Sequence, residues 1–597
     1  MAKIQSILAV ECGSITTRAI LIEQTKGRYR LTASGQSASS YGPAQQDVTI
    51  GLIAAIRQIE QATRRILLAP GGWPLTPQNN KRQGVDAYVT VCSAGEPLNL
   101  SVVGLTGDMS LAAAQQIAAQ TYTTISSIIT LDSPPHFSGK GKLPYPPFSP
   151  EARIYALHNS LSDVIMLVGG TENGAEKPLR ALINTVAIAL QTDRRGGVPH
   201  ILYAGNSALR NYVAEAIAPL ATWNAVENIH PTPDFKNLSP AQQALESLYV
   251  QRKLFQLPGF QKLSNWSKHP VLPAYKSFAR VVTYLSRQNN QNVLGVNIGS
   301  QATTISACGP DLQETTVSSE AGVGHSIPAL LHATRLDNIK HWLPYPLEAK
   351  ALYNQVLNKA LYPGSIPTHT DDLWLEQALA KECIRLAAQP LQSRHPQKRW
   401  NLIVGAGQTL ISAPHPGYAA LTLLDSLEPW GITNLALDIG QATGMLGAVA
   451  PIQPEAAAIV AARDTFLHLG TVVAPRGRGA IGKPALTINL QYATDPNEAQ
   501  PSTVTVAGGD ITVIPLSPGQ KVTVEIRPTR NYDIGGGQPG QGITTEIEGG
   551  ILGLIIDARG RPLVLPQDET DRYELLQAWL DALVSPMDSA ENVGSAA

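Results

Sequence analysis

The sequence predicts an α/β fold built as two similar halves, followed by a mostly-β module. Three observations predict it. Strand-like and helix-like stretches alternate from the N-terminus to about residue 465. A short pattern of strand, polar residue, Gly-Ser and Thr-Thr occurs at Glu11–Thr17 and returns at Asn297–Thr304. Beyond Phe466 the periodicity changes to two, with Pro and Gly turns between the runs.

Taken in order, Ile7 to Val10 reads as a strand, Gly13-Ser14 as a turn and Thr17 to Glu23 as the returning strand. Asp47 caps a helix whose apolar positions Leu52, Ile56, Ile59 and Ile66 recur at near-helical spacing. Val85–Cys92, Leu100–Leu105 and Ser126–Leu131 are strands, with an alanine-rich helix from Ser110 to Ala119 among them. Ser133 to Pro150, rich in Pro, Gly and aromatics, reads as a surface loop. Val164–Val168 is a strand that ends in Gly169-Gly170-Thr171-Glu172-Asn173-Gly174, and it precedes a helix at Pro178–Leu190 and a strand at Ile201–Tyr203. Segment 231–290 is polar and helical.

The second half opens with the strand Val293–Ile298, the turn Gly299-Ser300 and the strand Thr303–Cys308. A helix near Ile327–Ala333 precedes a long one after Thr370, with Asp371 and Asp372 in its first turn. Leu402–Val404 then runs into Gly405-Ala406-Gly407, and Leu435–Leu437 into Asp438-Ile439-Gly440. Runs such as Thr503–Val506 and Lys521–Ile526 define the β module, and a short helix at Thr570–Leu583 follows. The expected organisation is one half over 1–290, a second over 291–465, the β module over 466–585 and a disordered tail over 586–597.

Composition narrows the function. The 597 residues carry a formal net charge of −1, and no basic tract occurs, so a nucleic-acid partner has no electrostatic footprint. Only 15% of residues are charged, against a usual share of about 25%. No apolar run reaches the roughly 18 residues that a membrane span needs, and the start shows no signal peptide, so a cytoplasmic protein is expected. Cys12, Cys92, Cys308 and Cys383 are far apart and read as reduced thiols. No GxxxxGK[ST], HExxH or GxSxG motif occurs.

The two hairpins have the chemistry of a phosphate cradle. Glycine lets a phosphate approach backbone N–H groups with no Cβ in the way, and Ser and Thr add hydroxyl donors. A carboxylate or amide at the strand end can hold a Mg²⁺-bound water or polarise an attacking one. A single Gly-Ser turn would be unremarkable, since such turns join strands everywhere. Two with the same polar residue, spacer and Gly-Ser order, followed by Thr-Thr after one residue in the first and two in the second, each opening an α/β half, point to one shared ligand. The Gly405-Ala406-Gly407 turn, between strand and helix, can lay its backbone against an adenine or ribose.

This order of elements resembles the actin/sugar-kinase/Hsp70 superfamily. More narrowly, the chain resembles the glutamate mutase-associated MutL family, which is distinct from the mismatch-repair protein of that name. Beside the hairpins, the resemblance rests on Val102–Ser110, Leu167–Gly174 and Tyr203-Ala204-Gly205-Asn206, and it covers about residues 4–450. It implies duplicated ribonuclease-H-like (actin-like ATPase) domains binding ATP and Mg²⁺. Gly13, Ser14, Thr16 and Thr17 would form the first phosphate loop, and Gly299, Ser300 and Thr303 the second. Gly405 and Gly407 would face the adenosine. The resemblance also implies a protein partner, an adenosylcobalamin-dependent mutase that this chain serves as chaperone or reactivating factor.

Two departures bear on turnover. Where the superfamily usually has Asp at both strand ends, this chain has Glu11 and Asn297, the residues placed for catalysis, with Glu11 also the metal-side carboxylate. Arg18 stands where Lys is common. Asn297 is neutral at any working pH and cannot act as a base, so slow ATP hydrolysis or none is expected. A scaffold of the same fold, binding nucleotide and meeting a protein through its β module, is the alternative, and homo-oligomer formation is left open. A small-molecule kinase lacks a credible acidic base.

Other segments have plainer readings. Gly169–Gly174 is either a polar nest for an anion or metal-bound water, or a strand-to-helix turn. Asp438–Thr443 resembles a phosphate hairpin, but its continuation Gly444–Ala448 suits a tightly packed helix at the junction of the halves. His325, beside a glycine turn, suits a capping or hydrogen-bonded role better than catalysis. Arg476-Gly477-Arg478-Gly479 reads as a solvated turn, or as a contact for an acidic partner patch, and Gly535–Gly542 as a flexible loop.

Overall fold

A computed structural model describes residues 4–41, 47–138, 143–174, 176–193, 197–492 and 502–591. The first sheet begins with β1 (Ser6–Cys12), β2 (Thr16–Thr25), β3 (Arg28–Ala38) and β4 (Ala87–Cys92). β1–β3 are an antiparallel meander, and β4 lies parallel to β1. The chain then leaves this sheet to build a second one from β5 (Leu98–Val103), β6 (Thr123–Ile129), β7 (His136–Phe137), β8 (Val164–Leu167), β9 (His200–Tyr203) and β10 (Trp223–Ala225), in the order β10-β9-β8-β5-β6-β7. β11 (Leu272–Pro273) returns to the first sheet and completes the order β3-β2-β1-β4-β11. The segment from Leu98 to Ala225 is thus an α/β insertion, a parallel sheet apart from its edge strand β7. The stretch expected as a loop holds β7 and the start of helix Pro150–Asn159; its residues 139–142 lie outside the described residues.

The second half repeats the plan with β12 (Val293–Ile298), β13 (Thr303–Gly309), β14 (Leu312–Ser318), β15 (Leu402–Ala406) and β16 (Gly431–Asp438), ordered β14-β13-β12-β15-β16. β12–β14 are again an antiparallel meander, and β12, β15 and β16 are parallel. Even the hairpin register is repeated: Cys12 pairs with Thr17, and Ile298 with Thr303. The fold is therefore a duplicated ribonuclease-H-like core.

The period of two in each strand explains how the halves pack. Leu8, Val10 and Cys12 of β1 face outward into the core beneath helix Val48–Thr63, whereas Ile7 and Ala9 face the other half. On β15, Val404 and Ala406 join Ile7 and Ala9 in one buried layer. Between the two sheets lie helices Ala274–Asn289 and Thr443–Val449, which supply Phe278, Val281, Val282, Met445 and Leu446 to that layer. They cross so closely that a Cβ on Gly447 would stand 1.9 Å from the Ser277 carbonyl oxygen. The glycine-rich continuation after Thr443 is thus the packed helix expected from sequence.

The sheet does not stop near residue 465. β17 (Phe466–Ala474) pairs with β16 and leads to β18 (Arg476–Gly477), β19 (Pro484–Tyr492), β20 (Ser502–Ala507), β21 (Ile511–Ile514), β22 (Lys521–Pro528), β23 (Tyr532–Asp533), β24 (Ile543–Glu548) and β25 (Leu554–Asp557). β25 and β21 extend the second half's sheet beyond β17 to eight strands, while β20-β19-β22-β24 form a separate antiparallel sheet. Val472 and Ile555 point into the second half's core; Val473, Leu554 and Ile556 point into the core of the four-stranded sheet. Helix Glu569–Glu591 runs past Leu583, so the span expected as a tail begins inside a helix; residues 592–597 lie outside the described residues.

A buried charge network fastens this module. Asp425 forms an ion pair with Lys381 Nζ at 2.8 Å and accepts Arg559 Nη1 at 2.7 Å, and Asp557 accepts Arg559 at 2.8 Å and Arg561 at 2.6 Å. All five side chains are at most 4% exposed. Burial disfavours the Asp557 anion, but Arg559 and Arg561 more than offset this and hold its carboxyl well below the usual carboxylate range. Its stabilising effect is complete above about pH 4, the ordinary carboxylate value, and is lost as pH falls towards the depressed folded value. Asp557→Asn should therefore flatten the acid limb of a stability–pH curve. Asp425→Ala leaves the buried Lys381 without a carboxylate and Arg559 with Asp557 alone, and should cost about 3–5 kcal/mol in urea unfolding; a loss below about 1 kcal/mol would mean that the network is not what holds the module.

Candidate functional site

The two glycine turns have the same backbone bond. Gly13 N–H donates to Thr16 O at 3.1 Å, and Gly299 N–H donates to Ala302 O at 2.9 Å. At Gly13 the room is tight, since a Cβ there would lie 2.5 Å from Thr16 O. Both turns open on one cleft of about 570 Å³ between the halves. Glu11, Gly13, Ser14 and Thr16 line one wall; Asn297, Gly299, Ser300 and Gly407 line the other.

Strand alternation settles which neighbours reach the cleft. Thr16 and Arg18 face it, while Thr17, between them, is buried against Gly51, whose Cβ would lie 3.2 Å from Thr17 Oγ1. The second hairpin does the same: Thr304 lines the cleft, and Thr303 is buried, donating to Ala321 O at 2.7 Å. Thr17 and Thr303 are therefore corrected from cleft residues to structural ones. Gly405 is corrected too, because its missing Cβ would point at Leu437, Leu410 and Leu423 in the core. Gly407 does line the cleft, with φ of +110° and a would-be Cβ 2.0 Å from Ile298 O.

The paired positions expose the chemical difference between the halves. Opposite Glu11 in the β1–β2 ladder stands Arg18; opposite Asn297 in the β12–β13 ladder stands Thr304. Glu11 accepts a hydrogen bond from Ser93 Oγ at 3.1 Å, and the first turn of helix Thr443–Val449 rests against it: a Cβ on Gly444 would lie 2.9 Å from Glu11 Oε2. Arg18 reaches across the cleft and donates to Gln408 Oε1 at 2.8 Å, and no carboxylate pairs with it among the described residues. Lys359 also lines the cleft but is paired with Glu376 at 2.8 Å. The cleft thus keeps one carboxylate and one cation available to a ligand, ringed by hydroxyls and turn N–H groups.

Near Glu11, Asp438 is fully buried. Burial raises its pKa, with the Glu11 charge adding to this, against hydrogen bonds from Thr443 and from the Ala442 and Thr443 N–H groups. It caps the helix and does not line the cleft. Among the described residues no three His, Cys, Asp or Glu side chains group as a metal site. A Mg²⁺ ion carried by phosphates needs only one or two protein carboxylates and keeps several waters, so Glu11 with Ser93 fits such an ion.

Other expectations resolve locally. Glu172 is tied to the loops after β9 and β10, accepting Ser207 N–H at 3.2 Å and Asn228 Nδ2 at 2.8 Å, so its carboxylate in the Gly169–Gly174 turn is already partnered. Arg478 donates to Pro562 O at 2.9 Å, and Arg476 bonds Gln397, so this arginine turn is tied down rather than free in solvent. The four cysteines are buried and free; burial pushes the Cys92 thiol up to about 12. Ser93, Gln408, Lys359 and the segment Pro363–Pro367 also line the cleft, and His325 meets it through Ser300.

Two ribonuclease-H-like sheets facing one cleft, with a glycine turn from each on its walls, define a protein of the actin-like ATPase fold. The chain belongs to the MutL family: the model of that family, described as MutL protein, matches residues 7–465. This is the glutamate mutase-associated family that the sequence resembles. No curated relative matches the sequence. Similar solved structures include a nucleotide-free acetone carboxylase, 11% identical over 84% of this chain and 81% of that one, with a TM-score of 0.35. Component A of (R)-2-hydroxyglutaryl-CoA dehydratase from Acidaminococcus fermentans is 9% identical over 76% and 99%, with a TM-score of 0.26. A ROK-family glucokinase from Streptomyces griseus, solved with glucose and AMPPNP, is 9% identical over 74% and 97%, with a TM-score of 0.25. No helix among the described residues is long and apolar enough to cross a membrane.

Gly407→Ala should cost at least about 1–3 kcal/mol from its left-handed φ alone, with the clash at Ile298 added. A lowered urea midpoint is the expected reading; an unchanged midpoint would show that the turn relaxes freely.

Proposed function

We propose that this protein binds ATP with Mg²⁺ between its two halves and uses the resulting closure to change its affinity for a protein partner. The observation that carries this reading is the matched pair of glycine turns, with identical backbone bonds, on opposite walls of one cleft. The turn N–H groups, Ser14 and Ser300 would hold the phosphate chain, with Arg18 as the neutralising charge and Glu11 on the metal side. Gly407 would lie against the adenosine. Mg²⁺ supplies charge neutralisation for the phosphates when bound.

Turnover would be slow or absent. Asn297 occupies the strand-end position where a base is needed, and its facing neighbour Thr304 supplies no charge. A long-lived nucleotide complex suits a ligand-controlled switch, because closure shifts the partner equilibrium only by its differential affinity. The family membership supports an adenosylcobalamin-dependent mutase as the partner and a chaperone or reactivating role. The domain division over 1–290, 291–465 and 466–585 is proposed with it, except that β17, β21 and β25 of the last span belong to the second half's sheet; the four-stranded sheet would offer partner surface.

Thermal unfolding with ATP and Mg²⁺ tests the reading. Nucleotide at about 100 times its Kd should add about 2.7 kcal/mol of stability, and Gly299→Val should lose that gain. Absence of any shift at millimolar ATP would end it, and nucleotide-dependent filaments would favour a scaffold instead. Asn297→Asp should raise ATP turnover by about 10²-fold, the lower end of what a positioned base supplies; no change in phosphate release would mean that the amide is not what limits hydrolysis.

A further inference from the structure

The second glycine turn holds a titratable partner that the nucleotide reading leaves without a role. His325 Nδ1 lies 2.8 Å from Ser300 Oγ, and the backbone N–H of His325 donates to the same oxygen at 3.0 Å. The loop that carries His325 is laced to the turn. Val323 N–H donates to Gly299 O at 3.0 Å, while Gly324 and Ser326 N–H groups donate to Ser300 O at 3.1 and 3.2 Å. These bonds fix the backbone of His325 beside the hydroxyl.

A serine hydroxyl has one proton and two lone pairs, and the His325 backbone already occupies one lone pair. In the neutral ring, a bare Nδ1 accepts the hydroxyl proton, and Ser300 then has no donor left for a phosphate oxygen. Protonation reverses the bond. The imidazolium has two N–H donors; its Nδ1–H takes the second lone pair and leaves the hydroxyl proton free to point into the cleft. It also places a positive charge one side chain away from the ligand.

We propose that His325 is a positioning residue for Ser300, and that binding of a nucleoside triphosphate draws a proton onto this pair. The proposal rests on the nucleotide reading and adds its pH response. Desolvation beside the turn lowers the His325 pKa and favours the neutral ring before ligand arrives. The charged groups on neighbouring elements do not compete for it. Lys359 and Glu376 satisfy one another at 2.8 Å, and Glu11 and Arg18 stand on the opposite strand pair. Glu320 begins the loop, and helix Ile327–Ala333 carries only His332. Bound phosphate raises the folded pKa of His325, so affinity increases as pH falls through the range between the free and bound values.

Calorimetric titration of the full chain with MgATP, in two buffers of different ionisation enthalpy at about pH 6 and about pH 8, tests this. Wild type should take up a fraction of a proton per nucleotide, and its affinity should rise over that interval by about tenfold more than that of His325→Asn, the effect of one pKa unit. Protonation of the nucleotide is common to both proteins and cancels. Ser300→Ala should also lose the uptake, and His325→Gln serves as a second neutral replacement, with unfolding midpoints identifying folded variants. Uptake that persists in His325→Asn, or its absence in wild type while MgATP still binds, overturns the proposal. Failure of wild type to bind MgATP at either pH overturns the nucleotide reading itself.

Discussion

The contact on which the architecture turns is the crossing of helices Ala274–Asn289 and Thr443–Val449 at Ser277 and Gly447. These helices lie between the two duplicated sheets and share one buried layer with both. Pro273 and Ala274, where one helix begins, line the cleft, and the start of the other rests against Glu11. The absence of a single Cβ at Gly447 therefore sets how near Ser14 and Ser300 stand to a common ligand. A larger residue would wedge the buried layer of Ile7, Ala9, Val404 and Ala406 and widen the cleft from its base.

Duplication supplies geometry, and divergence supplies chemistry. Register, strand order and turn bonds are shared between the halves. What differs is the pair beside each turn: Glu11 and Arg18 on one side, Asn297 and Thr304 on the other. The pair beside the first turn is charged, whereas the pair beside the second is neutral.

Much of this was legible in the sequence because it depends on local pattern. The paired hairpins, the period-two switch after Phe466 and the packed helix after Asp438 are each written within about ten residues. The fine assignments failed where the answer depends on which way a strand faces. Thr17 and Thr303 looked like donors by type, yet one residue of alternation turns them inward and gives the cleft Arg18 and Thr304 instead. Gly405 looked like a ligand turn, yet it serves the packing of Leu437 and Leu423. Ser93 and Lys359 carry no signal at all, since only tertiary contacts bring them to the cleft. The parallel insertion at 98–225 was visible as strands, but its separation from the first sheet was not, because pairing partners are set by long-range topology.

The sharing of β17 and β25 between two cores has a mechanical consequence. Alternate side chains of the same strands are embedded in opposite hydrophobic layers, and five interlocked buried charges brace the join. The four-stranded sheet therefore cannot swivel on its own. It is joined through these strands to the same sheet as β12, which leads into the Ser300 turn.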